Sequence, residues 1–350
     1  MAPMRTLLLL GAALLWLATA GADAAESKTL EVRNAHGTMR YDLFVPSSYV
    51  PTGPAVPLVV SLHGGYEPTS STAQYSGWNV LAEQHGFVVA YPRVVPEEGQ
   101  RPIWNWSSVA RKERDDRNAS LIALVTTSVA TSHHIDRGRV LLAGISAGGG
   151  MAVAVGIVYP ELFTAVGVEA GCAYGYWRCW DLPCSWTSCE DKAWSSLFFR
   201  GESSAAGAHR AMGPRARRLP AILSYGADDW LSTAVGQDAL LTMWLALNDW
   251  NDDGAENASV PRQAAQVIDG KGNGADYARS VYLDATRCPL VETWIVKGLD
   301  HRYSGARYAD GKTGPGPDMR LAQYEFLLAQ AALQPPCGKA ATATASAPAP

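Results

Sequence analysis

The chain has 350 residues, of which 47% are hydrophobic and 18% charged, with a formal net charge of −4. Such a balance can build a sizeable core. A mildly acidic chain whose Lys/Arg cluster at 214–218 is short excludes nucleic acid as an expected partner.

In chain order, the first feature is an export pattern. Arg5 precedes an apolar run from Leu7 to Thr19, and Ala18-Thr19-Ala20 and Ala22-Asp23-Ala24 both fit a cleavage site. Residues 1–24 are therefore set aside as a signal peptide. The run is shorter than the roughly 20 residues a membrane-spanning helix needs, and no later stretch approaches that length, so no membrane span is expected. The mature protein is expected to be secreted, extracellular or periplasmic, and monomeric.

Leu30–Arg33 and Met39–Val45 alternate apolar and polar residues and read as an antiparallel pair near an edge. Pro57–Leu62, Phe87–Tyr91, Arg139–Ile145, Ala165–Ala170, Ala221–Tyr225 and Val291–Val296 are short apolar runs that suit strands covered on both faces. Helical spacing is predicted between them, at roughly 73–85, 115–131, 147–158, 233–249 and 318–333. This alternation predicts an α/β fold, a mostly parallel central sheet flanked by helices, as one catalytic domain over 25–338.

Residues 172–217 interrupt the pattern without clear periodicity. Cys172, Cys179, Cys184 and Cys189 fall within that stretch, and Cys288 and Cys337 lie far downstream. Six cysteines after export favour three disulfides, and the segment reads as a disulfide-rich insertion. A zinc site is the competing reading, but close-paired C-x-x-C spacing is missing, so no metal is expected. Residues 339–350 are Ala, Thr, Ser and Pro after one lysine, the composition of a disordered tail.

The chemistry concentrates in Gly144-Ile145-Ser146-Ala147-Gly148, preceded by the strand-like Val140-Leu141-Leu142-Ala143 and followed by a predicted helix. A strand–turn–helix around G-x-S-x-G is a nucleophile elbow, which lifts the serine hydroxyl off the sheet. Ala147 N–H then points at the carbonyl oxygen under attack. A serine hydroxyl needs a base. Of the seven histidines, His301 sits in a loop after the last apolar strand, on the side of the sheet where α/β sites form. The acid should fall between serine and histidine in the chain, and Asp228-Asp229 follows the strand at 221–225; Asp229 is preferred, with Asp228 the alternative. Gly65 in Leu62-His63-Gly64-Gly65-Tyr66 is the expected second oxyanion donor, Tyr66 a near alternative. His63, Tyr66, Trp104 and Trp106 are candidate substrate contacts, the two tryptophans as an apolar wall or simply as a packed pair.

These residues resemble the extracellular polyhydroxybutyrate depolymerases and their relatives, the feruloyl and acetylxylan esterases. The resemblance runs through Tyr41-Asp42-Leu43-Phe44-Val45-Pro46, Pro57 to Gly65, Trp104-Asn105-Trp106, Ile135 to Gly149 and Tyr159-Pro160-Glu161-Leu162-Phe163. It implies an α/β-hydrolase fold and a secreted, cofactor-free ester hydrolase, with Ser146, Asp229 and His301 as its triad. The implied substrate is an ester: a hydroxyalkanoate polyester or its oligomers, or alternatively an acylated plant polysaccharide. Around the histidine the family often shows a Gly-His-x-Trp-Pro-Gly-like run, where this chain has Asp300-His301-Arg302-Tyr303-Ser304-Gly305. A non-catalytic binder on a hydrolase scaffold is the reading from another class, disfavoured because all three triad residues are present.

Asp249-Trp250-Asn251-Asp252-Asp253-Gly254 begins like a calcium-binding loop, but Val260 stands where the closing glutamate should be. The segment is expected to be a solvated acidic turn.

Overall fold

Every second residue of the central strands belongs to a different core, and that alternation sets the architecture. Leu58, Val60 and Leu62 pack into one hydrophobic cluster and Val59 into another; Val140 and Leu142 divide from Leu141 and Ala143 in the same way. Side chains of a strand leave on alternate faces, so a strand apolar throughout must be covered twice. The computed structural model describes residues 24–65, 73, 76–96, 102–176, 201–305, 313–333 and 337. The expected export signal, the tail 339–350, Tyr66 and most of the cysteine-rich insertion lie outside them.

The strands are β1 (Glu26–Asn34), β2 (Gly37–Val45), β3 (Val56–Leu62), β4 (Val88–Pro92), β5 (Ile135–Ile145), β6 (Ala165–Glu169), β7 (Ala221–Gly226), β8 (Gln266–Gly272), β9 (Ala275–Leu283) and β10 (Pro289–Val296). They form a ten-stranded sheet in the order β1-β2-β4-β3-β5-β6-β7-β10-β9-β8. The central strands from β4 to β10 run parallel, and antiparallel pairs extend the sheet at both borders. β1 and β8 are the edge strands.

Helices α1 (Trp78–His85), α2 (Trp106–Lys112), α3 (Arg117–Ser132), α4 (Ala147–Val158), α5 (Gly201–Met212), α6 (Ala234–Asp253) and α7 (Met319–Ala332) cover the faces. Trp78 and Leu81 of α1 and Met319, Tyr324, Phe326 and Leu327 of α7 share one cluster, whereas α2 to α6 contribute to the other. Polar residues mark the helix starts: Asp116 accepts the Ala119 N–H, and the Asp318 carboxylate accepts those of Arg320 and Leu321. α4 is buried along its whole length. It packs on β5 and β6 beneath α2, α3 and α5, which explains a helix with no polar face.

One expectation is revised: the stretch expected to be irregular to 217 contains α5. Residues 266–283, for which the sequence pattern marked no element, form the β8–β9 hairpin. Its turn is Asn273-Gly274, both with positive φ, the conformation a two-residue hairpin demands.

Cys288 and Cys337 form a disulfide across 49 residues, joining the start of β10 to the chain beyond α7. Cys172 is also disulfide-bonded. Replacing Cys288 and Cys337 together by serine is expected to lower the unfolding free energy by about 2–4 kcal/mol, because the crosslink limits the unfolded chain. An unchanged denaturant midpoint would count against that.

Candidate active site

Parallel strands end on the same side, so the loops after β3, β5, β7 and β10 converge at one rim of the sheet. Ser146 follows β5 and opens α4 with φ 54° and ψ −121°. Few residues with a side chain adopt such a conformation, and it stores on the order of 1–3 kcal/mol. Its N–H donates to the Glu169 carbonyl and its carbonyl accepts the Gly150 N–H, each at 2.9 Å. The turn closes because its neighbours lack side chains. A Cβ on Gly144 would collide with the Gly148 carbonyl, and one on Gly148 with the carbonyls of Leu62 and His63.

His301 lies in the loop after β10. Its Nε2 is 2.9 Å from Ser146 Oγ, and its Nδ1 is 2.8 Å and 3.1 Å from the two carboxylate oxygens of Asp229. The loops carrying these groups are zipped together: Ala227 N–H donates to the Val296 carbonyl at 2.8 Å and Asp228 N–H to that of Leu299 at 3.0 Å. The Asp229 side chain has no exposed surface. Its Oδ1 accepts the Leu231 and Ser232 N–H groups at 2.9 and 2.7 Å, which support the charge where water cannot. Asp228, the alternative acid, is exposed.

Ala147 is buried as the first residue of α4, where helix N–H groups lack intrahelical partners. Gly65 lies against it: a Cβ built there would sit 3.6 Å from the Ala147 Cβ and 3.0 Å from Ile103. The two expected oxyanion donors are thus brought side by side.

The other candidate contacts sit beneath this rim. His63 and Trp104 are each 1% exposed and Trp106 is 5% exposed. His63 Nδ1 bonds the Gly64 carbonyl at 2.7 Å, its Nε2 lies 3.4 Å from the Val94 N–H, and burial pushes its pKa down. That pattern suits a neutral ring protonated on Nδ1. Trp104 Nε1–H donates to the His63 carbonyl at 2.9 Å, and Trp106 Nε1–H to the Tyr176 carbonyl at 2.6 Å. Of the two expectations for the tryptophans, an apolar wall or a packed pair, these bonds describe packing: with His63 they brace the loop after β3 and the helix layer around α4.

The family model for PHB depolymerase esterases matches residues 39–267. The chain belongs to this family. Poly(3-hydroxyalkanoate) depolymerase C of Paucimonas lemoignei is 26% identical over 261 residues, 72% of this chain and 57% of that protein. Acetylxylan esterase A of Talaromyces purpureogenus is 34% identical over 148 residues, 40% of this chain and 36% of its own. The chain thus spans well under two thirds of the length of these curated relatives. Among solved structures, the acetyl xylan esterase from Aspergillus awamori superposes with a TM-score of 0.61 at 20% identity, over 85% of this chain and 99% of that one. The fold is that of the α/β-hydrolases.

In this PHB depolymerase family member, sequence reading missed Glu169. It ends β6, is 5% exposed, and its Oε1 accepts the Ser304 N–H at 3.0 Å. Burial pushes its pKa up to about 7, with the Arg320 guanidinium and the Ser304 N–H pulling the other way. A carboxylate closing an otherwise apolar strand run was the available signal.

The acidic turn is also corrected. Asp249 is 3% exposed, and its carboxylate accepts the N–H groups of Asn257, Ala258 and Val260 at 2.8, 3.1 and 2.9 Å and the Ser259 hydroxyl at 2.6 Å. Burial works against the charge, yet these donors hold its pKa below the usual carboxylate value. Donor hydrogens converging on the carboxylate staple the loop and oppose a cation. Among the described residues no His/Cys/Asp/Glu cluster could hold a metal.

Two stability measurements follow from this geometry. Ser146→Gly should be more stable than Ser146→Ala by about 1 kcal/mol, since relief of the strained φ outweighs the larger entropic cost of fixing a glycine; equal melting curves would contradict the strain. Glu169 titrates higher in the folded than in the unfolded chain, so its contribution to stability is complete below the ordinary glutamate value of 4.5 and is lost as pH rises towards about 7. The melting temperature of the parent protein should therefore fall relative to Glu169→Gln across that window, and parallel pH profiles would count against it.

Proposed function

We propose that this chain is a secreted carboxylic ester hydrolase that works by two-step acyl transfer through Ser146. The observation carrying this reading is the unbroken line of hydrogen bonds from the buried Asp229 through His301 to the Ser146 hydroxyl, 2.8 and 2.9 Å long. His301 Nε2 takes the hydroxyl proton as Ser146 Oγ attacks the ester carbonyl carbon. Asp229 accepts the Nδ1–H, fixes the tautomer and stabilises the imidazolium. The Ala147 and Gly65 N–H groups hold the oxyanion. Collapse of the tetrahedral intermediate expels the alcohol, which leaves with the proton from His301. Water then repeats the sequence on the acyl-enzyme and releases the acid. Each step draws on this chain's own groups.

Hydroxyalkanoate esters are the first choice of substrate, because the depolymerase from Paucimonas lemoignei aligns over 72% of this chain. Acetyl esters of xylan are the second, supported by the 34% identity to the Talaromyces purpureogenus esterase over 148 residues. Export through the leader at 1–24 accords with the Cys288–Cys337 disulfide, since such bonds persist in oxidising compartments.

Ser146→Ala and His301→Ala are each expected to lower kcat on a soluble butyryl ester by at least about 10³-fold, with the double variant little worse. A fluorophosphonate should label the parent at Ser146. More than a tenth of parental activity in pure Ser146→Ala protein would sink the nucleophile assignment. A polyhydroxybutyrate film and acetylated xylan, assayed on one preparation, decide between the substrates by which one releases acid.

A further inference from the structure

Ser146 and His301 are carried by strands that are not neighbours: β6 and β7 lie between β5 and β10. Their separation must be fixed by what those intervening strands hold. Glu169, the last residue of β6, reaches both sides. Its backbone carbonyl accepts the Ser146 N–H at 2.9 Å, and its carboxyl oxygen accepts the Ser304 N–H at 3.0 Å. Ser304 lies three residues beyond His301 in the same loop and is 1% exposed. The far side of that loop is anchored as well. The Ser304 hydroxyl donates to the Pro317 carbonyl at 2.9 Å, and Gly305 donates to the Pro315 carbonyl at 3.0 Å. The Gly305 carbonyl accepts Arg320 Nη2–H at 2.7 Å. One residue therefore couples the backbone of the serine turn to an otherwise firmly held histidine loop.

We propose that Glu169 is a positioning residue for acyl transfer, holding the His301 loop at a set distance from Ser146 through its carboxyl group while its carbonyl holds the serine turn. The assignment rests on the hydrolase reading and adds a residue outside the three that carry it. A buried carboxyl is costly unless its hydrogen bonds matter. Burial is the largest of the causes that set its pKa at about 7, against the pull of Arg320 and the Ser304 N–H. Its bond is to a main-chain N–H, so what counts is the reach of the side chain. Aspartate keeps the charge but is one methylene too short for Ser304. Glutamine keeps the length and an acceptor oxygen but drops the charge. Reach and charge can thus be separated.

The test compares parent, Glu169→Gln, Glu169→Asp and Glu169→Ala on a soluble short-chain ester, with kcat expressed per serine titrated by a fluorophosphonate. Glu169→Gln is expected to keep kcat within about threefold. Glu169→Asp and Glu169→Ala are expected to lose about ten- to a hundredfold in kcat with KM nearly unchanged, the scale of a misplaced catalytic group. If the alanine variant does not fold, the Asp and Gln pair decides. Parental kcat in Glu169→Asp, equal losses in Gln and Asp, or a loss that vanishes per titrated serine each overturns the proposal. Turnover that depends on Ser146 yet ignores Glu169→Asp is a failure of this assignment alone. A parent protein without Ser146-dependent turnover strikes the hydrolase reading itself and takes the assignment with it.

Discussion

At the end of β5 the chain must leave the sheet and enter a helix through a single residue, and two positions to either side of it there is no room for a side chain. Gly144 faces the Gly148 carbonyl, and Gly148 faces the carbonyls of Leu62 and His63. Ser146 accepts a left-handed φ of 54° as the result. This constraint propagates. Because α4 starts so close to the sheet, it is buried on every side and must be apolar throughout, with Trp106 packed against Gly150. The loop after β3 passes directly beneath α4, which is why His63 and Trp104 are used as internal braces. The strained serine is tolerable only because the surrounding packing over-determines it.

Three buried polar groups near this turn meet different sets of partners. Asp229 has two N–H donors and an imidazole against its carboxylate. Glu169 has one N–H, with the guanidinium of Arg320 acting on it electrostatically, and burial raises it to about 7. His63 has no acidic partner among its bonds, and burial favours its neutral ring. Burial with few compensating donors thus raises the Glu169 carboxyl and lowers the His63 imidazole.

Much of this was legible in the sequence, for identifiable reasons. The central strands are apolar runs of five to seven residues because both faces are covered, and such runs stand out. Ser146 stands out in the sequence by its glycine neighbours, and His301 and Asp229 by their places after strands. What escaped were features fixed by tertiary contacts. The β8–β9 hairpin is half exposed and poor in large apolar residues, although Asn273-Gly274 was a readable turn signal. Helix α5 has only a small apolar face and sits in a segment dominated by cysteine and tryptophan. Trp104 and Trp106 look like substrate contacts in a loop, and only packing shows that their indole N–H groups are tied to backbone carbonyls. Glu169 was hidden because its partner, Ser304, is 135 residues away.

The outermost strands carry Glu26, Lys28, Glu31 and Arg33 on β1, and Asp269 and Lys271 on β8. A free strand border is a template on which another chain can add. Here a newcomer would have to strip hydration from a row of ammonium, guanidinium and carboxylate groups before gaining a single ladder bond. Among the described residues the sheet ends at ten strands, and the charges on its two outer strands make further strand addition costly.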